Sequence, residues 1–159
     1  MATSKKTIIV FSGEFDKILA AFVIANGAAA MDDEVTMFFT FWGLNALRKT
    51  EKIAVDGKTP LQKAFSRLMP RGIDRLTLSH MNFGGAGPKL MKRVMRQQNV
   101  MPLQELIDQA REQGIKMIAC TMSMDVMGLR REELIDGLEY AGVASYLGEA
   151  DESGVNLFI

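Results

Sequence analysis

A strand pattern gives way to a helix pattern within the stretch Lys116-Met117-Ile118-Ala119-Cys120-Thr121-Met122-Ser123-Met124-Asp125-Val126-Met127-Gly128. Residues 115–119 form a short and mostly apolar run, which is typical of a buried parallel strand. Ser123 and Asp125 carry side chains that are predicted to cap and to charge the start of a helix. The pattern therefore places Cys120, the only cysteine of the chain, at the carboxyl end of a strand.

That position gives the Cys120 thiol two interpretations. In open α/β sheets ligands bind at the carboxyl ends of the strands, and a thiol just ahead of a helix start is favoured as the thiolate. Free cysteine is also among the most buried residue types. From the residues alone, Cys120 is either a reactive thiol or an inert buried thiol.

The composition excludes several classes of function. The chain has 159 residues, enough for one domain, with 19 Lys plus Arg balancing 19 Asp plus Glu. This balance argues against nucleic acid or an anionic membrane as a partner. A lone cysteine forms no internal disulfide, the N-terminus lacks a secretory apolar segment, and the apolar run at 18–31 is too short to span a bilayer. We therefore expect a cytoplasmic protein without a membrane span.

The rest of the chain alternates strand and helix patterns. Strands are predicted at residues 7–11, 34–40, 115–119, 143–146 and 155–159. Helices are predicted at residues 14–31, 60–69, 88–95, 103–113 and 131–140. This alternation is typical of a parallel α/β sheet, and the apolar C-terminus predicts that the last strand is paired inside it. The helix at 14–31 is apolar almost all round, which indicates that a second subunit covers the side that faces away from the sheet.

Two further segments are candidates for the same edge of the sheet. Phe41 and Trp42 follow the second strand, so that they either cover the thiol as an aromatic wall or pack under a loop. Residues 44–88, the middle segment, have weak patterns with several turn signals, and we expect short helices that form a lid over the carboxyl edge. Within it, His80 is either a general base or a surface residue. The Gly84–Gly87 run lacks the features of a P-loop and favours a flexible turn.

The cysteine segment Ala119–Gly128, continued by residues 132–137 and 157–159, resembles the DsrE/DsrF-like sulfur-transfer family. The resemblance covers nearly the whole chain and is closest to the longer DsrE-like subgroup, sometimes labelled peroxiredoxin-like. It implies a three-layer α/β/α sandwich with a mostly parallel sheet, one domain over residues 1–159 and a homo-oligomer. It also implies that Cys120 accepts sulfane sulfur as a persulfide from a donor such as a rhodanese and passes it to a TusA-like acceptor.

The sequence thus predicts a sulfurtransferase or sulfur carrier of a sulfur relay, with Cys120 as the nucleophile. No Cys-x-x-Cys pair and no spaced set of metal ligands accompany Cys120, so neither a metal nor another cofactor is expected. The alternative is a non-enzymatic module that binds a small ligand or partner and has a structural cysteine. The small heteromeric family members lack the middle segment, so their partnership and direction of sulfur flow are not carried over. The residues predicted to shape the site around the thiol are Phe41, Trp42, Gly84, Gly85, Thr121, Met122 and Ser123.

Overall fold

The computed structural model describes residues 3–159 and shows one five-stranded sheet. Its strand order is β4-β3-β2-β1-β5, and every neighbouring pair is parallel. The predicted α/β architecture with a mostly parallel sheet is therefore confirmed. The strands are β1 (Lys5–Val10), β2 (Glu34–Phe39), β3 (Lys116–Cys120), β4 (Glu139–Ala141) and β5 (Val155–Phe158).

Helices cover both faces of this sheet and complete the three layers. The α-helices are α1 (Phe15–Ala29), α2 (Pro60–Leu68), α3 (Ala86–Gln97), α4 (Leu103–Glu112), α5 (Thr121–Met127) and α6 (Val143–Asp151). Helices α1 and α4 belong to the larger core on one face, whereas Tyr146 of α6 packs on the other. Short 3-10 helices lie at Phe41–Leu47, Ile73–Arg75, Phe83–Gly85 and Arg131–Glu133. Within residues 3–159, no helix combines the length and the apolarity needed to cross a membrane.

Strand alternation divides the apolar side chains between two cores. Met37 and Phe39 of β2 join the larger core with α1 and α4, and Met117 of β3 joins them. Phe38 and Ile118, the intervening residues, join the smaller core on the α6 face. Because successive side chains of a strand point to opposite faces, this division follows from the pleat of the strands.

The second apolar side of α1 has a partner within the same chain. Asn26 donates from Nδ2 to the carbonyl oxygens of Phe22 and Leu106, both at 2.9 Å, and so ties α1 to α4. Val23 and Ile24 remain exposed. Helix α4 therefore covers much of the surface for which the sequence pattern indicated a second subunit.

Two sequence-based assignments near the C-terminus are wrong. Residues 131–140 do not form an amphipathic helix, because only Arg131–Glu133 turn and the chain then extends into β4. Residues 143–146 open α6 instead of forming a strand. The predicted pairing of the last strand is confirmed, because β5 pairs in parallel with β1 at an edge of the sheet.

The middle segment contains short helices, and backbone hydrogen bonds tie it to the sheet side of the molecule. Phe15 N–H at the start of α1 donates to the carbonyl oxygen of Thr77 at 2.7 Å, and Lys49 N–H donates to that of Glu133 at 2.8 Å. Helix α2 has a capping box in which Thr59 and Gln62 satisfy each other's backbone N–H groups. The role of residues 44–88 as a lid stays a prediction.

A substitution at Gly43 tests how closely the backbone after β2 packs against the end of β1. A Cβ atom at Gly43 would lie 2.1 Å from the carbonyl oxygen of Val10, so Gly43→Ala must displace backbone and should lower the free energy of unfolding by about 1–3 kcal/mol or more. A matched control is Gly27→Ala, because a Cβ there meets nothing within 4 Å. Gly27 lies inside α1, so this change should raise the free energy of unfolding by about 0.5–1 kcal/mol. Urea denaturation measures both, and equal effects would contradict the packing described.

Candidate functional site

The carboxyl ends of the strands bring the candidate residues to one edge of the sheet. In the parallel register of β2 and β3, Phe39 pairs with Ala119. Thr40 and Cys120, which follow these two residues in the chain, therefore lie side by side. On the other side of β3, Cys120 pairs with Ala141 of β4. Cys120 is the last residue of β3 and immediately precedes α5, as the sequence predicted.

The Cys120 side chain lies on the α6 face of the sheet. The residue is 2% exposed and packs in the smaller core with Phe38, Ile118 and Tyr146. The rings of Phe38 and Tyr146 lie 5.2 Å apart, and the Tyr146 hydroxyl lies 3.2 Å from the Thr7 hydroxyl. Tyr146 was missed as a neighbour of the thiol because its segment was predicted to be a strand. Its spacing of four residues from Ala150, which packs on the same core, is the signal of a helix that faces the sheet.

The turn after Cys120 is held by a buried hydroxyl pair. Ser123 is fully buried, and its Oγ lies 2.7 Å from Oγ1 of Thr40. The predicted capping role of Ser123 is wrong, because Cys120 occupies the N-cap position and no side chain makes a capping hydrogen bond there. Thr121 is half-buried, and Met122 is 55% exposed. Ser123 thus holds the turn from the buried side, while the Met122 side chain lies on the solvent-exposed side of the turn.

The two aromatic residues after β2 lie at the same edge but border a different space. The Phe41 ring packs 5.7 Å from the ring of Phe11, and the exposed Trp42 ring lies 6.2 Å from that of Phe65. Trp42 lines a cavity of about 370 Å³ with Phe11, Gly13 and Asn45, and Cys120 is not among the lining residues. The structure therefore brings Phe41 and Trp42 to the edge without placing either against the thiol.

The glycine loop lies near the start of α1. An added Cβ at Gly84 or Gly85 would meet nothing within 4 Å, so neither glycine packs closely against another element. The loop is anchored through Ser79, whose backbone N–H and hydroxyl both donate to the carboxylate of Asp16. His80, which follows this anchor, is exposed. These contacts tie the loop to α1 and do not join it to Cys120.

Metal ligands do not accumulate around this edge. Between residues 3 and 159, no group of three or more His, Cys, Asp or Glu side chains comes together in a geometry that could hold a metal ion. The groups that surround the thiol are instead apolar side chains and the Thr40–Ser123 hydroxyl pair.

Comparison with known proteins places this geometry in a family. The sequence model of the DsrE/DsrF/DrsH-like family matches residues 2–158. The chain belongs to this family. It is 57% identical over 157 residues to the uncharacterized protein YrkE of Bacillus subtilis, covering 99% of this chain and 98% of YrkE. It is 37% identical over 163 positions to the sulfur carrier protein DsrE2 of Allochromatium vinosum, covering 100% of both chains.

Solved structures of similar proteins agree on the fold. The chain superimposes on the ychN protein of E. coli with a TM-score of 0.57, covering 99% of this chain and 100% of that one at 12% identity. It superimposes on MTH1491 of Methanobacterium thermoautotrophicum with a TM-score of 0.59, covering 98% and 99% at 11% identity. At such identities the likeness concerns the fold alone. It confirms the DsrE-like architecture that the sequence resemblance implied.

The anchor of the glycine loop predicts a pH dependence. Burial raises the pKa of the Asp16 carboxyl, but the hydrogen bonds from Ser79 outweigh it, so that the pKa lies below its ordinary value. Because the folded-state pKa is lowered, this stabilisation is present above the unfolded-state pKa and is lost as the pH falls through the folded-state value. Ser79→Ala should therefore lower the free energy of unfolding by about 1 kcal/mol at neutral pH. The difference from wild type should shrink below about pH 4.

Ser153→Ala is the control for this experiment. The Ser153 hydroxyl donates to the carbonyl oxygen of Glu149 at 2.7 Å, and a carbonyl does not titrate. Its effect on unfolding should therefore stay constant over the same pH range. A Ser79→Ala effect that is equally constant in urea denaturation would contradict the assigned role of Asp16.

Proposed function

We propose that this protein carries sulfane sulfur as a persulfide on Cys120. One observation carries the proposal: the only cysteine of the chain ends β3 at the carboxyl edge of the sheet. This is the edge where α/β proteins of this kind bind their ligands. The 37% identity to a sulfur carrier protein over the full length of both chains supports the same reaction.

The proposed sulfur transfer conserves atoms and electrons without a cofactor. The Cys120 thiolate attacks the outer sulfur of a donor persulfide, forming one S–S bond while the S–S bond of the donor breaks. The donor leaves as a thiolate, and the terminal S–H of the former donor persulfide becomes the terminal S–H on Cys120. A thiolate of the acceptor then attacks this terminal sulfur and releases Cys120. The net oxidation state does not change, so a single cysteine suffices.

The surroundings of Cys120 suggest how each side chain contributes. The Thr40–Ser123 hydroxyl pair holds the turn that follows the thiol. Thr121 and Met122 lie on the more open side of that turn, and we expect partner proteins to approach there. Phe41, Trp42, Gly84 and Gly85 are proposed to shape the wider docking area. The resemblance suggests a rhodanese as the donor and a TusA-like protein as the acceptor. The lone cysteine favours the cytoplasm as the location.

The burial of the thiol supports a second candidate function. At 2% exposure, Cys120 must become more accessible before a partner's sulfur can reach it. A DsrE-like module that binds a small ligand or partner and has a structural cysteine would not require this opening. The accessibility of the thiol in the native protein therefore separates the two candidates.

Sulfur loading of Cys120 is the direct test. After incubation with a sulfane-sulfur donor, intact-protein mass spectrometry should show the gain of one sulfur atom on the wild type and none on Cys120→Ser. His80→Ala should retain the loading, because His80 is exposed and lies in the loop anchored to α1. Thermal unfolding of each variant checks that the fold is retained. A native thiol that reacts with alkylating reagents only after denaturation, without any sulfur adduct, would favour the structural cysteine.

We also propose a homo-oligomer that uses the α6 face. Phe158 pairs with Ile9 in the register of β5 and β1, so both side chains lie on this face. Phe158 is 67% exposed, and Val143 and Leu147 of α6 are also exposed. Large apolar side chains left exposed on one face are typical of association surfaces.

Sedimentation velocity tests this association. Leu147→Glu places a charge on the proposed surface and should shift the wild-type oligomer toward monomer at micromolar concentration. Leu61→Glu makes the same change at another exposed leucine, on α2, and should leave the oligomer intact. A wild-type chain that sediments as a monomer would refute the proposal.

A further inference from the structure

Positive charge is concentrated in part of the middle segment although the whole chain is neutral. Residues 48–75 contain eight Lys or Arg against three Asp or Glu, whereas the chain has 19 of each class. This region includes α2 and the turns on both sides of it. The excess of cations is therefore a local property that the net charge conceals.

These cations surround two neighbouring cavities. The larger cavity, of about 570 Å³, has no acidic residue among its lining residues and is bordered by four cations, Lys52, Arg67, Arg71 and Arg75. The smaller cavity, of about 190 Å³, shares Lys52, Arg67 and Arg71 and adds Lys58, Lys63 and Glu133. We call the two together the cationic cavity. Its position beside α2 is distinct from the Cys120 turn.

The carboxylate on this surface is already neutralised. Glu133 forms an ion pair with Lys58 at 2.6 Å, with side chains only 8% and 6% exposed, and it also accepts the backbone N–H of Arg130 at 2.8 Å. Across residues 3–159, Lys52, Arg67, Arg71 and Arg75 show neither an ion pair nor a side-chain hydrogen bond. Four cations thus face the larger cavity without a counter-charge from the protein.

A buried arginine, whose charge Glu133 offsets in part, adds to this positive charge. Arg48 is 2% exposed, and its guanidinium donates to the carbonyl oxygens of Ser66 at 2.9 Å and Pro70 at 3.2 Å. Ser66 and Pro70 themselves line the cationic cavity. The Nε of Arg48 is buried without a hydrogen-bond partner. Burial, and then the charge of Arg71, lower the pKa of Arg48, so the surroundings disfavour its charge.

We propose that the cationic cavity binds a small multivalent oxyanion, of the phosphate, sulfate or thiosulfate type. Arginine presents a planar set of donors that matches the oxygens of such ions in two-point contacts. An ion with two negative charges would offset the positive charges of Arg67 and Arg71 and that of Arg48 behind them. This site is independent of the sulfur chemistry proposed for Cys120.

Isothermal titration calorimetry with inorganic phosphate, sulfate and thiosulfate, each titrated separately, tests the proposal. The ionic strength is held constant with potassium chloride, so that chloride competes equally in every titration. At least one of the three ions should bind with one ion per chain. The variant carrying Arg67→Gln and Arg71→Gln should lose at least about tenfold in affinity, because each substitution removes charge-assisted hydrogen bonds. The ranking of the ions distinguishes a phosphate site from a site for sulfur oxyanions.

A variant with Lys89→Gln and Arg93→Gln is the matched control. It removes the same charge from two exposed positions of α3, outside the lining of the cationic cavity, and should bind within about twofold of wild type. Cys120→Ser should also bind as wild type does, whatever the outcome of the sulfur-loading experiment. Absence of binding for all three ions, or an equal loss in the α3 variant, would overturn the proposal. Recognition of acidic proteins without binding of a free ion would overturn it as well.

Discussion

The parallel pairing of β2 with β3 is the constraint on which the site depends. Because Phe39 and Ala119 pair, the chain continues from each strand at the same level, and Thr40 comes beside Cys120. The hydroxyl contact between Thr40 and Ser123 then closes the turn after the thiol. A shift of one residue in this register would turn the Cys120 side chain from the α6 face to the larger core. Register therefore determines both the position and the face of the cysteine.

The sequence predicted the elements that have strong local signals. The strand before Cys120, the first β-α unit and α2 were predicted because each combines an apolar run with turn or cap residues at its ends. Residues 131–140 were misassigned because Leu134 and Ile135 fit a helical stripe. In the structure they are placed by tertiary contacts: Ile135 N–H donates to the carbonyl oxygen of Leu47 at 2.8 Å, and Leu134 is buried in the larger core. Gly137, with φ of 83°, ends any helical continuation.

The site could be predicted only in part, because the sequence does not show which helices cover each face of the sheet. The prediction placed Cys120 at a strand end, but the face of the strand is set by which helices cover each side. Met117 and Met124 are three and four residues from Cys120 in the sequence, yet they belong to the larger core, and Met122 is exposed. Trp42 follows β2 and still borders a separate cavity with Phe11. A shared sheet edge therefore does not imply a shared pocket.

Helix α2 links the two regions of the molecule for which a binding function is proposed. Near its start, Gln62 donates from Nε2 to the carbonyl oxygen of Asp125 in α5 at 2.8 Å, and its backbone leaves no room for a side chain at Gly128. Near its end, Ser66 and Arg67 line the cationic cavity. Arg48 holds this end through the Ser66 carbonyl. The same helix therefore borders the cationic cavity at one end and packs at the other against α5, the helix that begins next to Cys120.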